Sequence, residues 1–109
     1  MPYDPGLASR LEELLIDRRD MVEKKMFGGI GWMLAGNMCV GVYKAWLIIR
    51  VGPQFWEMII QDPHVKAMDI TGKPMKGWAM VAPEGLDADE ALSRYVELAI
   101  SFVSELPCK

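Results

Sequence analysis

Imidazole and thiol are the scarcest chemistry in this chain: His64 is the lone histidine, and Cys39 and Cys108 are the two cysteines. Neither cysteine has a second ligand type at metal-site spacing, so no metal site is written, and two thiols make a poor disulfide framework for a small secreted fold. The sequence therefore implies a reducing cytoplasm and no metal or other cofactor. No uninterrupted apolar run is longer than Ala45 to Ile49, far below the about 20 residues a spanning helix requires, and no basic segment leads into an apolar stretch at the N-terminus. The expectation is no membrane partner. A dense Lys/Arg stripe is missing as well. Net charge is −3, and the basic and acidic groups number 3 and 5 in residues 1–20, 7 and 4 in 21–82, and 2 and 6 in 83–109. A mildly basic middle between acidic ends disfavours autonomous DNA binding, which needs several neutralised phosphates.

No reactive constellation assembles either. Ser9, Ser93, Ser101 and Ser104 fall on expected helices and none sits in a nucleophile-elbow pattern. Cys39 lies in an apolar strand pattern where a thiol is buried and inert, so Cys39 with His64 is the one pair an enzyme could use, and no catalytic residue is assigned. His64 follows Asp62-Pro63, where a cation can answer the carbonyls of a preceding helix. Phe27-Gly28-Gly29-Ile30-Gly31 resembles a phosphate loop but is followed by another strand pattern, so its glycines read as a tight turn. Gly72-Lys73-Pro74 puts proline where a phosphate loop wants Ser or Thr.

What is present is one domain over residues 1–109, with 51% apolar residues and therefore enough for one core. Asp4-Pro5-Gly6 precedes Leu7, Leu11, Leu14 and Leu15, which predicts a capped helix to about Asp17. Strand patterns follow at about 22–27, 30–34, 38–43 and 46–51, split by gaps short enough to require antiparallel hairpins. Pro53 opens a short helix that Asp62-Pro63 must end, and two more strands are expected at about 67–70 and 78–82, joined by a loop from Thr71 to Gly77. Asp87 with Glu90 has capping-box spacing before Leu92, Tyr95, Val96, Ala99, Phe102, Val103 and Leu106 at helical intervals. The sum is an α+β fold, order α-β-β-β-β-α-β-β-α, with one antiparallel sheet packed by helices.

Both faces of two strands are apolar: Ile30, Trp32 and Leu34 against Gly31 and Met33, and Trp46, Ile48 and Arg50 against Leu47, Ile49 and Val51. Either the helices divide between the faces or a second subunit covers one, and a homodimer is expected. Candidate interaction residues are Lys24, Lys25, Lys73 and Lys76, beside turns that could converge at one end of the sheet next to Phe27 and Trp78, together with Arg50. Arg50 shares a strand face with Trp46 and Ile48 and needs a carboxylate or solvent. If the lysines do converge, a small anion or nucleic acid is the alternative ligand.

Lys25-Met26-Phe27-Gly28-Gly29, Gly36-Asn37-Met38, Arg50-Val51-Gly52-Pro53 and Gly72-Lys73-Pro74-Met75-Lys76-Gly77 resemble, in order, the signature of the TfoX/Sxy N-terminal domain family. The resemblance spans residues 3–106. It implies a secretion-chaperone-like α+β fold and regulation of competence genes through the cyclic-AMP receptor protein, that is, a protein partner in the transcription machinery, while the chain itself is expected to be a stand-alone version of the domain. It carries over no catalytic residues. It does carry over the turn residues Gly28, Gly29, Asn37, Gly52 and Gly77, with Lys25, Arg50 and Lys76 as the nearest polar groups.

Overall fold

The computed structural model describes residues 3–18, 20–26, 28–69, 72 and 75–107. Helix α1 (Pro5–Leu15) begins as its sequence dictates: the Asp4 carboxylate accepts the Gly6 N–H at 2.9 Å, and Pro5 occupies the first turn, where its missing N–H costs nothing. Leu7, Ala8, Leu11 and Leu15 form its buried stripe. Four strands follow, β1 (Met21–Met26), β2 (Gly29–Leu34), β3 (Asn37–Tyr43) and β4 (Trp46–Arg50), each antiparallel to the last. Helix α2 (Gly52–Ile59), β5 (Val65–Met68), β6 (Met75–Val81), a 3₁₀ turn (Pro83–Leu86) and α3 (Asp89–Val103) complete the chain.

The strands form one antiparallel sheet in the order β1-β2-β3-β4-β6-β5. The excursion through α2 and β5 reaches the far edge, and β6 returns to pair with β4. This matches the expected α+β element order. Its two-residue hairpins need left-handed backbone at Gly28 (φ 75) and Gly36 (φ 85), which glycine supplies without steric cost.

Several local expectations are corrected. Lys76 and Gly77 belong to β6 rather than to the preceding loop, and β5 starts at Val65 rather than near 67. Between the register pairs Ala67↔Ala79 and Met68↔Met75 the β6 strand bulges outward, and Gly77 at φ 94 makes that bulge possible. Asn37 is the first residue of β3 and is buried, with its carboxamide donating to the Pro107 carbonyl at 2.9 Å. It pins the segment after α3 rather than shaping a turn. The Asp87–Glu90 capping box does not form, because Asp87 closes the 3₁₀ turn and Ala88, which has no side-chain oxygen, stands at the α3 N-cap.

The helices also do not divide between the two faces. Leu7, Leu11 and Leu15 of α1, Ile59 of α2, and Leu92, Tyr95, Val96, Ala99 and Val103 of α3 all join one core. They meet Ile30, Trp32, Leu34, Val40, Val42, Leu47, Ile49, Ala79 and Val81 there, one face of the sheet. On the other face Ile48, Met68 and Met80 form a separate cluster with Tyr43, Trp46, Met75 and Trp78, every one a strand residue. Among the described residues no helix side chain joins it. Among these residues no helix is long and apolar enough to cross a membrane.

Candidate functional site

Strand alternation determines what this open face displays. Ile48 pairs with Gly41 on one side and Met80 on the other, Arg50 with Trp78, and Lys66 with Met80, so these side chains share the helix-free side. Ile48 and Met80 are only 5% and 4% exposed although no second layer lies on them. Their burial comes from Trp46, Trp78, Tyr43 and Met75 lying across them. Farther along, Met38 covers the adjacent glycines Gly31 and Gly41, where a Cβ would meet its thioether at 2.8 to 2.9 Å.

Three cations stand over the three rings of this face. Lys66 Nζ is 4.8 Å from the Trp46 centroid, Lys44 Nζ is 5.5 Å from Tyr43, and Arg50 Cζ is 5.1 Å from Trp78. Arg50 is also 6.0 Å from Phe102 of α3, and no carboxylate of the described residues forms an ion pair with it. The requirement for a partner or solvent is thus met by two aromatic faces and a half-exposed position. Lys66 is shared with Asp69 at 3.9 Å. Tyr43, Lys44, Trp46, Lys66, Asp69 and Met80 line a cleft of about 250 Å³ on this face.

A second cleft of about 310 Å³ lies where α2 begins and α3 ends, lined by Gly52, Pro53, Phe55, Ser101, Phe102 and Glu105 among others. Gly52 (φ 84) and Gly77 let the β4–α2 junction pack against β6: Val51 N–H donates to the Gly77 carbonyl at 2.9 Å, and the Trp56 indole N–H donates to the Trp78 carbonyl at 2.9 Å. Arg50, Gly52, Gly77 and Trp78 are therefore brought together at one end of the sheet.

Lys24 and Lys25 do not converge with Lys76. Lys24 and Lys25 lie exposed on β1, the sheet edge four strand steps from β6, about 19 Å at normal inter-strand spacing. Lys76 pairs with Glu57 of α2 at 3.4 Å in solvent. Phe27 and Lys73 lie outside the described residues, as do Cys108 and Lys109. The physical reason is the strand order, which sends β5 and β6 to the edge opposite β1. Gly28 and Gly29 serve the β1–β2 turn on that distant edge, where a Cβ at Gly29 would collide with the Val42 carbonyl.

Among the described residues the His64 imidazole makes no hydrogen bond to the carbonyls of α2, which ends at Ile59, and the His64 backbone N–H donates to Asp62 Oδ1 at 2.9 Å. The other Asp62 oxygen accepts the Tyr95 hydroxyl at 3.0 Å, which ties α3 to the α2–β5 turn. Burial first, and then this hydrogen bond to a carboxylate, raises the Tyr95 phenol above its ordinary value. Cys39 is fully buried, and desolvation pushes its thiol up to about 12. It is separated from His64, which precedes β5, by strands β4 and β6. Among the described residues no three His, Cys, Asp or Glu side chains are grouped to hold a metal ion.

Sequence reasoning did not single out Lys44 and Lys66. The signal was there in part, because Lys66 and Met68 alternate with Val65 and Ala67, but its meaning depends on where β5 sits in the sheet.

A helix-backed antiparallel sheet whose other face, among the described residues, carries rings and cations and no helix defines a small α+β domain. The TfoX N-terminal domain family model matches residues 13–103, and the chain belongs to that family. No curated protein and no solved structure matches it.

Proposed function

We propose that this chain is a non-enzymatic regulatory or adaptor domain that acts in the cytoplasm by binding another protein, in the control of competence-type genes. One observation carries the reading: among the described residues the helices pack on one side of the sheet, and on the opposite side Ile48, Met68 and Met80 are kept dry by that face's own Trp46, Trp78, Tyr43 and Met75. An antiparallel sheet in a self-sufficient domain shows water a polar face, whereas apolar and aromatic groups rimmed by cations are the composition of a protein-binding surface. Family membership supplies the regulatory context and makes the transcription machinery the first place to look for the partner. The test is a biosensor titration of the purified domain against the cyclic-AMP receptor protein and RNA polymerase. Saturable micromolar binding to either is expected. Absence of binding to both, with an unchanged competence-gene reporter in cells lacking the chain, would refute the role.

Self-association is the second part of the reading, favoured by a different observation. Val22 is exposed on β1, whose outer backbone edge faces no other strand among the described residues. Pairing of two β1 edges would cover both features. Sedimentation at low micromolar concentration is expected to give a dimer, and a clean monomer would remove this part while leaving the adaptor role standing.

A further inference from the structure

We infer that the partner segment received by the open face is acidic, a stretch of Asp or Glu interspersed with apolar residues, and that its carboxylates seat between Lys44 and Lys66 in the cleft walled by Tyr43 and Trp46. The inference rests on the reading of this face as a docking surface and adds the chemistry of what docks. Charge segregation is the first support. The chain is acidic overall, at −3, yet the acidic groups Glu12, Glu13, Asp89, Glu90 and Glu97 lie on α1 and α3, behind the sheet. The open face presents Lys44, Arg50 and Lys66, with Asp69 as the acid lining its cleft. A cationic face on an anionic molecule selects an acidic ligand and repels a basic one.

The second support is how the cations are held. Each stands over an aromatic ring at 4.8 to 5.5 Å, and a ring in that position restrains the cation without occupying its hydrogen-bond donors, although Lys66 shares its ammonium with Asp69 at 3.9 Å. The restraint lowers the ordering cost a carboxylate would otherwise meet on binding a long flexible side chain. The cleft of about 250 Å³ that joins Lys44 to Lys66 has Met80 among its lining residues and the dry Ile48–Met80 surface alongside, so an apolar residue next to the carboxylate has somewhere to go.

The same geometry disfavours a nucleic-acid strand. Base stacking needs a free ring face, but Trp46 and Trp78 turn one side to the Ile48–Met80 cluster and carry Lys66 and Arg50 over the ring. A base would have to displace the cation, whereas a carboxylate uses it where it stands.

Fluorescence anisotropy with the full chain tests the proposal. The probes are a fluorescein-labelled synthetic peptide of about twelve residues built from Glu, Asp, Leu and Phe, its Lys-for-acid counterpart, and oligouridylate of similar length. The acidic peptide is expected to bind and the basic one not to, with affinity falling several-fold between roughly 50 and 300 mM salt. Lys44→Glu with Lys66→Glu, both at solvent-accessible positions, is expected to weaken binding at least about tenfold while circular dichroism and melting stay unchanged. Equal peptide affinity in the double variant would overturn the inference, as would tighter binding of oligouridylate than of peptide. Retained binding of the double variant to the transcription-machinery partner would sink the acidic-segment proposal and leave the adaptor role intact.

Discussion

Replacing Gly52 by alanine perturbs the joint that holds the open face to the helices, and the structure allows its cost to be divided into two parts. Gly52 has φ 84, a left-handed backbone that costs an L-residue roughly 1–2 kcal/mol. A Cβ there also collides with the ring of Phe102, and overpacking of this kind costs roughly 1–3 kcal/mol. Together the substitution should remove about 2 to 5 kcal/mol, or roughly 8 to 20 °C of Tm in a domain of this size. Phe102→Leu withdraws the ring edge, so in the double variant the collision disappears and the backbone cost remains. Urea and thermal melts of the two single variants and the double should therefore show a favourable coupling of about 1 kcal/mol or more. A loss under about 0.5 kcal/mol for Gly52→Ala, or penalties that simply add, would refute the reasoning.

The remaining expectations concern titration and single contacts. Because the Cys39 thiol titrates near 12 in the folded chain against 9.0 when free, the folded state keeps a proton that the unfolded state releases. Stability is thus full below pH 9 and falls as pH rises toward 12, by about 1.4 kcal/mol per pH unit, and Tyr95, also raised, acts in the same direction at higher pH. Urea midpoints across that range should decline less steeply in Cys39→Ala, and an equal slope would contradict the assignment. Tyr95→Phe deprives Asp62 Oδ2 of its donor and should cost about 1 to 2 kcal/mol by chemical denaturation. Lys76→Ala breaks an ion pair whose side chains are 60% and 68% exposed, and should shift stability by no more than about 0.5 kcal/mol.

Much of the fold was legible because its signals are local. Asp4-Pro5 marks the start of α1, the hairpin turns sit at Gly28 and Gly36, and the 3.6-residue repeat from Leu92 to Val103 defines the buried stripe of α3. The boundaries that failed have local causes as well. Gly77 and Pro74 look like loop residues, and only the bulge against β5 accommodates Gly77 inside a strand. Asp87 has capping chemistry, but the 3₁₀ turn takes it first. The site was half legible: alternation in β4 put Arg50 beside Trp46 and Ile48, while the position of β5 outside β6 had to be known before Lys66 could be set over Trp46, or Lys24 and Lys25 separated from Lys76. Turn lysines near each other in sequence carry no information about strand order.

Four tryptophans give the open face its own reporters: Trp46 and Trp78 lie on it, Trp56 is bonded to the Trp78 carbonyl, and Trp32 is buried on the helix side. Adding a bound protein partner to the labelled chain and following the four indole N–H resonances by NMR reads the docking surface directly. The resonances of Trp46 and Trp78 should move, with a smaller response at Trp56 and none at Trp32. Shifts confined to Trp32 or to amides of α1 and α3, with Trp46 and Trp78 unmoved, would place the partner on the helices and contradict the account.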